Sequence, residues 1–173
     1  MSARSPYQLR PIRQFIEIPK GSQIAVRCSF RNLDETLALL YPFFFTEEFY
    51  YHHGVFMGGY DVVHFSGQNK EDAKPRSCDL YEFLSNSEDK VIYIVKYDDS
   101  DKLRPVGETL RYARETLENP NKWPKYHLAG NNCESFATWL KTDKFESVQV
   151  KFALHRVIDL AGKALVGSSA SAS

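Results

Sequence analysis

The chain has 173 residues, 43% hydrophobic and 14% aromatic, which suits one compact domain with a packed core. Its 22 basic and 22 acidic side chains cancel, which argues against a nucleic-acid-binding protein because such proteins carry a strong positive balance. The cysteines Cys28, Cys78 and Cys133 are too few and too irregularly spaced for a disulfide framework and favour a reducing compartment.

The ends of the chain carry little sign of targeting. Residues 1–14 contain charges together with Pro6 and Pro11, but no apolar stretch typical of a secretory signal. The sequence contains no run of 18 apolar residues, so we expect no membrane-spanning helix. We therefore expect a cytoplasmic protein with a flexible N-terminal arm over residues 1–15.

Segments on either side of the centre of the chain predict strands. Residues 18–29 predict a strand entered through a turn at Lys20-Gly21, and the nearly apolar residues 91–97 predict a strand in the middle of a sheet. The polar residues 67–78 predict a loop. Residues 31–50 fit either a helix that ends before Pro42 or a buried or membrane-facing loop around Phe43-Phe44-Phe45.

The clearest predicted element is a β-hairpin. Residues 51–57 and 60–66 are rich in β-branched and aromatic side chains, and Gly58-Gly59 between them fits a two-residue turn. Pairing about that turn places His52 opposite Phe65 and His64 opposite His53. A bulge or a change of register would decide whether His52 and His64 share a face of the sheet.

Helical patterns follow in the second half. They predict a helix from Pro105 to about Leu117, a second from Cys133 to about Lys141, and a third over residues 148–166 before a disordered tail. Strands come first and helices later, with one antiparallel hairpin. This order is typical of an α+β fold in which helices pack on an antiparallel sheet.

Cys133 begins one of the predicted helices. Asn132 suits the N-cap position, and a thiol in the first turn lies near the positive end of the helix dipole, which favours the thiolate. The backbone amides of the same turn could bind an oxyanion. Asn132 and Glu134, on either side of Cys133, are the candidates for stabilising the oxyanion or orienting the site. The alternative is a buried structural cysteine.

Histidines of the hairpin are the candidate bases for this thiol. Successive strand residues point to opposite faces, so only one of His52 and His53 can be directed at Cys133. His64 could then orient that base. The alternative is that these histidines are structural. His52, His53, His64 and Cys133 lack the spacing of a zinc site, so we expect no metal and no other cofactor.

Three motifs together resemble the lecithin:retinol acyltransferase (LRAT)-like family. His52-His53-Gly54-Val55-Phe56 is similar to the family's H-x-G-[IV]-[YF] motif, and Val62-Val63-His64 is similar to its V-[IVA]-H motif twelve residues later. Asn132-Cys133-Glu134-Ser135-Phe136 is similar to its N-C-E-H-F motif. Outside these, Trp139-Leu140-Lys141-Thr142 and Ser147-Val148-Gln149-Val150 also look like segments of some members.

The resemblance implies a circularly permuted papain-like (NlpC-type) fold and a catalytic domain over residues 16–150. It implies that Cys133 is the nucleophile, His52 its base and His64 the orienting group, with a glycerophospholipid or another acyl ester as substrate. The implied activity is that of an acyltransferase or phospholipase. Ser135 and Asp143 stand where the family usually has histidine and glycine.

The sequence is also compatible with two other functions. One is a catalytically weak or inactive membrane-associated regulatory domain, and the other is a thiol amidase or peptidase. The sequence pattern of the C-terminal part, residues 151–173, predicts an amphipathic helix followed by a disordered tail. The apolar stripe over 148–166 with neighbouring basic residues predicts peripheral membrane association, unless that stripe packs against the domain.

Overall fold

The computed structural model describes residues 8–12, 14–29, 49–68, 71–85, 87–125, 127, 132–151, 154, 155 and 158. Their strands are β1 Leu9–Ile12, β2 Gln23–Ser29, β3 Phe49–Gly58, β4 Asp61–Ser66, β5 Lys74–Asp79 and β6 Ile92–Val95. Their α-helices are α1 Leu80–Ser85, α2 Val106–Glu118 and α3 Cys133–Thr142, with short 3-10 turns at Phe15–Glu17 and Pro120–Lys122. Residues 148–151, 154, 155 and 158 are also helical.

The strands form one antiparallel sheet in the order β1-β6-β2-β3-β4-β5. The α+β class and the packing of helices on an antiparallel sheet are therefore confirmed. In the part of the chain that the structure describes, none of the helices is both long and apolar enough to cross a membrane.

Each face of the sheet has its own apolar core, because neighbouring strand residues point to opposite faces. On one face, Val55 and Val63 pack with Phe65 against helices α2 and α3. On the other face, Phe56 and Val62 join a cluster that includes Leu80 and Phe83 of α1. Fully burying one such side chain contributes roughly 1.5–3 kcal/mol, so these two clusters fix α3 and α1 on opposite sides of β3 and β4.

The register of the hairpin differs from the predicted one. His64 stands opposite Gly54, not His53, and the pairing shifts by a bulge between Phe56 and Gly58. The connecting residues are Gly59 and Tyr60, not Gly58 and Gly59. Gly58 and Gly59 still supply the positive φ angles, 95° and 63°, that the bulged turn needs.

Two edge strands lie in segments that the sequence predicts to be irregular. Strand β5 runs through the predicted loop 67–78, and β1 runs through the predicted flexible arm 1–15. Each pairs on one side only among the described strands, β1 with β6 and β5 with β4. Edge strands tolerate proline, and each of these contains one, Pro11 and Pro75, which is why their composition does not signal a strand.

The two residues that differ from the motifs described above, Ser135 and Asp143, lie at the two ends of α3. At its start, the Ser135 hydroxyl accepts a hydrogen bond from the Asn132 N–H at 2.8 Å and completes a capping box. At its end, Asp143 adopts a left-handed conformation with φ 70°, and Arg104 pairs with its carboxylate. Aspartate tolerates this conformation better than most residues, so it can replace the usual glycine here.

Two predicted features fall largely beyond the described residues. The segment containing Phe43-Phe44-Phe45 lies outside them. Of the predicted helix 148–166, the structure describes residues 148–151 and three later positions, all of them helical.

Candidate functional site

His52 and His64 form a hydrogen-bonded pair on one face of the sheet. The Nε2 atom of His52 lies 2.8 Å from Nδ1 of His64. The pair exists because His64 stands opposite Gly54, two residues after His52 on β3, so both side chains leave the sheet on the same side. The sequence left open whether His52 and His64 share a face of the sheet, and the structure places them on one face through a register that differs from the predicted one.

The pair continues to Ser66, which sequence reasoning missed. Ser66 Oγ lies 3.1 Å from His64 Nε2. If His52 Nδ1 is to accept a proton, His52 Nε2–H must donate to His64 Nδ1, and His64 Nε2–H then donates to the Ser66 hydroxyl. The signal that could have revealed Ser66 is its position two residues after His64 on the same strand.

Phe83 of α1 covers both imidazoles. Its ring centroid lies 5.4 Å from that of His52 and 5.7 Å from that of His64. A methyl group at residue 54 would come within 3.1 Å of this ring and 2.7 Å of Val62, which explains the glycine between the histidines. Phe83 therefore shields both imidazole rings from solvent on this side and limits their movement.

Burial keeps both imidazoles neutral at pH 7. It lowers the pKa of His52 well below 6.5, and the repulsion that a protonated His64 would exert on a protonated His52 adds to this effect. It lowers the pKa of His64 to about 4, with a smaller contribution from Arg76. A neutral His52 has a lone pair with which to accept a proton.

Cys133 lies beside the stretch of β3 that carries His52. Its sulfur is 4.0 Å from the carbonyl oxygen of Tyr51 and accepts a hydrogen bond from the backbone N–H of His53. The thiol thus contacts the backbone on both sides of His52. Among the described residues, however, no hydrogen bond joins the sulfur to the His52 imidazole.

The thiol of Cys133 is protonated at neutral pH. The residue is only 7% exposed, and burial raises the pKa of its thiol to about 12. The backbone N–H groups of His53 and Glu134 lower the pKa, but by less. The expectation that the helix start favours the thiolate is wrong for this structure, because desolvation outweighs the amides of the helix.

Asn132 caps α3 as predicted. Its Oδ1 accepts hydrogen bonds from the N–H groups of Glu134 at 3.0 Å and Ser135 at 2.9 Å. These two amides are therefore committed to the cap. Among the described hydrogen bonds of this first turn, the N–H of Cys133 is left for an incoming oxygen.

Glu134 is turned away from the thiol. Its side chain is buried, and its carboxylate accepts hydrogen bonds from the Ser147 hydroxyl and from the backbone N–H groups of Val148 and Gln149. An acceptor-only carboxylate cannot stabilise an oxyanion. Of the two flanking candidates, Glu134 orients the chain at 147–149, and Asn132 orients the start of α3.

His53 lies on the opposite face from His52, as strand alternation predicts. Its side chain is fully buried on the α3 side, and its Nδ1 accepts a hydrogen bond of 3.0 Å from Gln23 Nε2. Gln23 also accepts a hydrogen bond from the hydroxyl of Tyr97. Burial lowers the pKa of His53 to about 4, so this histidine is a neutral part of a structural network.

Acidification is expected to destabilise the fold between about pH 6.5 and pH 4. The folded-state pKa values of His52, His53 and His64 lie below the ordinary value of 6.5, so within this window the unfolded chain binds protons that the folded chain does not. Stability is therefore complete above the ordinary pKa and is lost as the pH falls, by up to about 3 kcal/mol each for His53 and His64 at the lower end, with a further loss in the same direction from His52.

Urea unfolding at a series of pH values measures this loss. The His53→Gln variant lacks one titrating ring and should show a shallower dependence on pH than the wild type. A free energy of unfolding that stays constant from neutral pH to about pH 4.5 would contradict the burial of these neutral imidazoles.

The comparisons with known proteins bear on the same residues. The model of the lecithin retinol acyltransferase family matches residues 43–146, which is more than half of the chain and includes His52, His64 and Cys133. A search among curated proteins gives no significant match. The chain belongs to the lecithin retinol acyltransferase family.

Proposed function

We propose that this protein is a thiol-dependent acyltransferase or phospholipase that acts on acyl esters of glycerophospholipids. Membership of the family supports this type of activity in general, with lipid acyl esters as the class of substrate. The observation that carries the proposal is the hydrogen bond between His52 of β3 and His64 of β4, since the backbone of β3 also contacts the Cys133 thiol. In this proposal Cys133 is the nucleophile, His52 the base and His64 its orienting partner.

The reaction begins from a neutral thiol and a neutral imidazole. Since burial raises the pKa of Cys133 and lowers that of His52, a preformed thiolate–imidazolium pair is unfavourable in the resting site. The proton is instead transferred as the sulfur attacks. This transfer requires the thiol to turn from the Tyr51 carbonyl toward His52 Nδ1.

Acyl transfer then follows in two balanced steps. The sulfur forms a bond to the ester carbonyl carbon, the bond from this carbon to the alkoxy oxygen breaks, and His52 returns the proton to the departing lysophospholipid. Water, an alcohol or an amine next attacks the thioester and regenerates the thiol. Water as acceptor gives phospholipase activity, and any other acceptor gives acyltransferase activity.

The negative charge of each tetrahedral intermediate needs a donor close to the sulfur. The backbone N–H of Cys133 is our candidate, since Asn132 already occupies those of Glu134 and Ser135. The imidazolium formed on His52 is stabilised by His64, whose own proton is accepted by Ser66. The wider architecture in this proposal is the permuted papain-like one.

A catalytically inactive regulatory domain is the second candidate. It is favoured by the burial of the Cys133 thiol and by its raised pKa, both of which reduce its reactivity at neutral pH. A thiol amidase or peptidase would use the same residues on a different carbonyl. An activity-based thiol probe labels Cys133 in either enzyme and leaves it unlabelled in the regulator.

Cys133→Ala is expected to abolish formation of an acyl-enzyme. The wild type, incubated with a diacyl phosphatidylcholine, should gain the mass of one acyl group, and neutral hydroxylamine should remove it because the adduct is a thioester. Intact-mass measurement follows both steps. Cys28→Ala and Cys78→Ala are matched controls, since both residues are also buried free cysteines. An adduct that persists in Cys133→Ala would exclude this nucleophile.

His52→Ala is expected to cost about two to four orders of magnitude in acylation rate, the usual loss on removing a general base. His53→Gln, which retains an acceptor for Gln23, should cost less than about tenfold, because His53 Nδ1 is occupied by Gln23 whereas His52 is the imidazole paired with His64. His64→Gln should be milder than His64→Ala, because an amide can still orient His52. Equal losses in His52→Ala and His53→Gln, with both proteins folded, would reject His52 as the base.

To reach a lipid substrate, the protein must contact a lipid surface. The C-terminal segment has exposed residues that suit such a contact. Leu154 and Ile158 lie four residues apart, each at a position described as helical, and are 53% and 58% exposed. Phe145 and Val148 are also exposed, and Lys151 lies between the two pairs. Exposed apolar residues beside basic ones are typical of a segment that binds at a membrane surface, where each basic residue contributes about 1 kcal/mol. We therefore propose peripheral membrane association of a cytoplasmic protein.

The double variant Leu154→Asp, Ile158→Asp is expected to lose most of its binding to anionic vesicles. Flotation with vesicles of phosphatidylserine and phosphatidylcholine measures this, and about 0.5 M NaCl should weaken binding of the wild type by screening the lysines. Leu103→Asp is the matched control, since Leu103 is exposed elsewhere on the domain. The proposal fails if the double variant floats as well as the wild type does, or if the wild type does not float.

A further inference from the structure

Gln149 takes the place of a neighbouring strand at one position of β3. Strand β4 pairs with β3 as far as Gly54 and His64, whereas β2 continues to pair with β3 down to Phe49. At Tyr51, the side-chain amide of Gln149 accepts a hydrogen bond from the backbone N–H at 2.8 Å and donates one to the carbonyl at 3.0 Å. One side chain thus forms both bonds that a paired strand residue would form.

Tyr51 is the point of β3 at which the candidate site is assembled. Its carbonyl, which accepts from Gln149, is also the oxygen that the Cys133 thiol contacts. The next residue is His52, and the N–H of the following residue, His53, binds the same sulfur. A shift of the backbone at Tyr51 would therefore change the position of the base relative to the thiol.

Glu134 holds Gln149 in this position. Its Oε2 accepts hydrogen bonds from the backbone N–H of Gln149 at 3.2 Å and from its side-chain Nε2 at 3.3 Å. Because Glu134 follows Cys133 directly in α3, the contacts close a ring from Cys133 through Glu134, Gln149 and Tyr51 back to the sulfur. Glu134 is 1% exposed, so water competes little for these bonds.

We infer that Gln149 is a positioning residue for the proposed reaction. Its amide fixes the edge of β3 against the start of α3 and so sets the distance between the His52 imidazole and the Cys133 thiol. The inference rests on the proposed function. Its particular chemical requirement is a neutral side chain that both donates and accepts, next to a carboxylate that only accepts.

This requirement separates positioning from a merely structural contact. In Gln149→Glu, a second carboxylate lies beside Glu134, and the two like charges raise the pKa of the pair. When ionised, residue 149 cannot donate to Tyr51. When residue 149 is protonated at lower pH, its O–H can donate to the Tyr51 carbonyl again, so acidification should rescue this variant.

The test compares Gln149→Ala, Gln149→Glu and Leu110→Ala with the wild type. Leu110→Ala is the control for stability, since Leu110 is buried in α2, away from the site. The kcat and KM for a soluble short-chain phosphatidylcholine are measured between about pH 5.5 and pH 8 and well below every unfolding temperature. The rate at which iodoacetamide alkylates Cys133 is followed in parallel by peptide mass.

We expect kcat of Gln149→Ala to fall about 10- to 100-fold at all pH values with KM changed by less than about threefold, as for a misplaced reacting group. Gln149→Glu should approach the wild type at the acidic end and lose activity as the pH rises. Leu110→Ala should keep the wild-type kcat. If Gln149→Ala does not fold, the pH dependence of Gln149→Glu alone decides.

Two results overturn the inference: a Gln149→Ala variant with the wild-type kcat, or a Gln149→Glu variant whose activity relative to the wild type does not change with pH. The alkylation rate keeps this inference distinct from the proposed function. If the wild type shows no turnover, the proposed function fails. In that case a change of alkylation rate in Gln149→Glu between pH 5.5 and pH 8, absent from Leu110→Ala, still supports positioning, and no such change overturns it.

Discussion

The register of the hairpin is the constraint on which the candidate site depends. Since side chains alternate along a strand, a shift of one residue in the pairing of β3 with β4 would turn His64 to the other face, away from His52. The bulge between Phe56 and Gly58 sets the observed register, and Gly54 leaves room for Phe83 to close over both rings. The hydrogen bond between the two imidazoles is thus a consequence of backbone geometry at residues some distance from it.

Burial has opposite consequences for the two partners of the proposed reaction. It gives His52 a free lone pair at neutral pH, which a base needs, and it keeps Cys133 protonated, which a nucleophile must overcome. A lipid acyl chain would add more apolar surface and exclude more water, so it would not by itself favour the thiolate. The proposed reaction therefore requires direct proton transfer from the thiol to the imidazole, in which small errors in position become costly.

Much of this arrangement could be predicted from the sequence, but only at the level of elements and faces. The pattern around residues 51–66 predicted the hairpin, and Asn132-Cys133 predicted the start of α3, because turn glycines and N-cap residues act locally. The opposite faces of His52 and His53 followed from strand alternation alone. The roles of the individual catalytic candidates stay predictions.

The elements that escaped prediction depend on partners distant in the chain. Strands β1 and β5 contain prolines and polar residues and are strands only because β6 and β4 pair with them. The exact register followed from a bulge that no short motif marks. Phe83 reaches the site only through the fold, so its sequence neighbours gave no signal of it. Ser66 was marked only by its place two residues after His64, and Gln149 only by the resemblance of residues 147–150 to some family members.

The two departures from the family pattern illustrate how a local replacement can keep a fold. Ser135 is fully buried and completes the capping box of α3, so the position of Cys133 in the first turn does not require the usual histidine. Asp143 accepts the left-handed conformation at the other end, where the Arg104 guanidinium offsets its charge. Neither residue contacts the thiol in the described hydrogen bonds, so both act through the helix that carries it.

The segment that begins at residue 147 links two properties that the sequence presents separately. Ser147 and Val148 bind Glu134 beside the nucleophile, and Gln149 binds β3. A few residues later, Leu154 and Ile158 are exposed to solvent. If a membrane surface takes up these apolar side chains, as proposed, the lipid would lie only a few residues along the chain from Gln149, so one short stretch of sequence would serve both membrane contact and the positioning of β3.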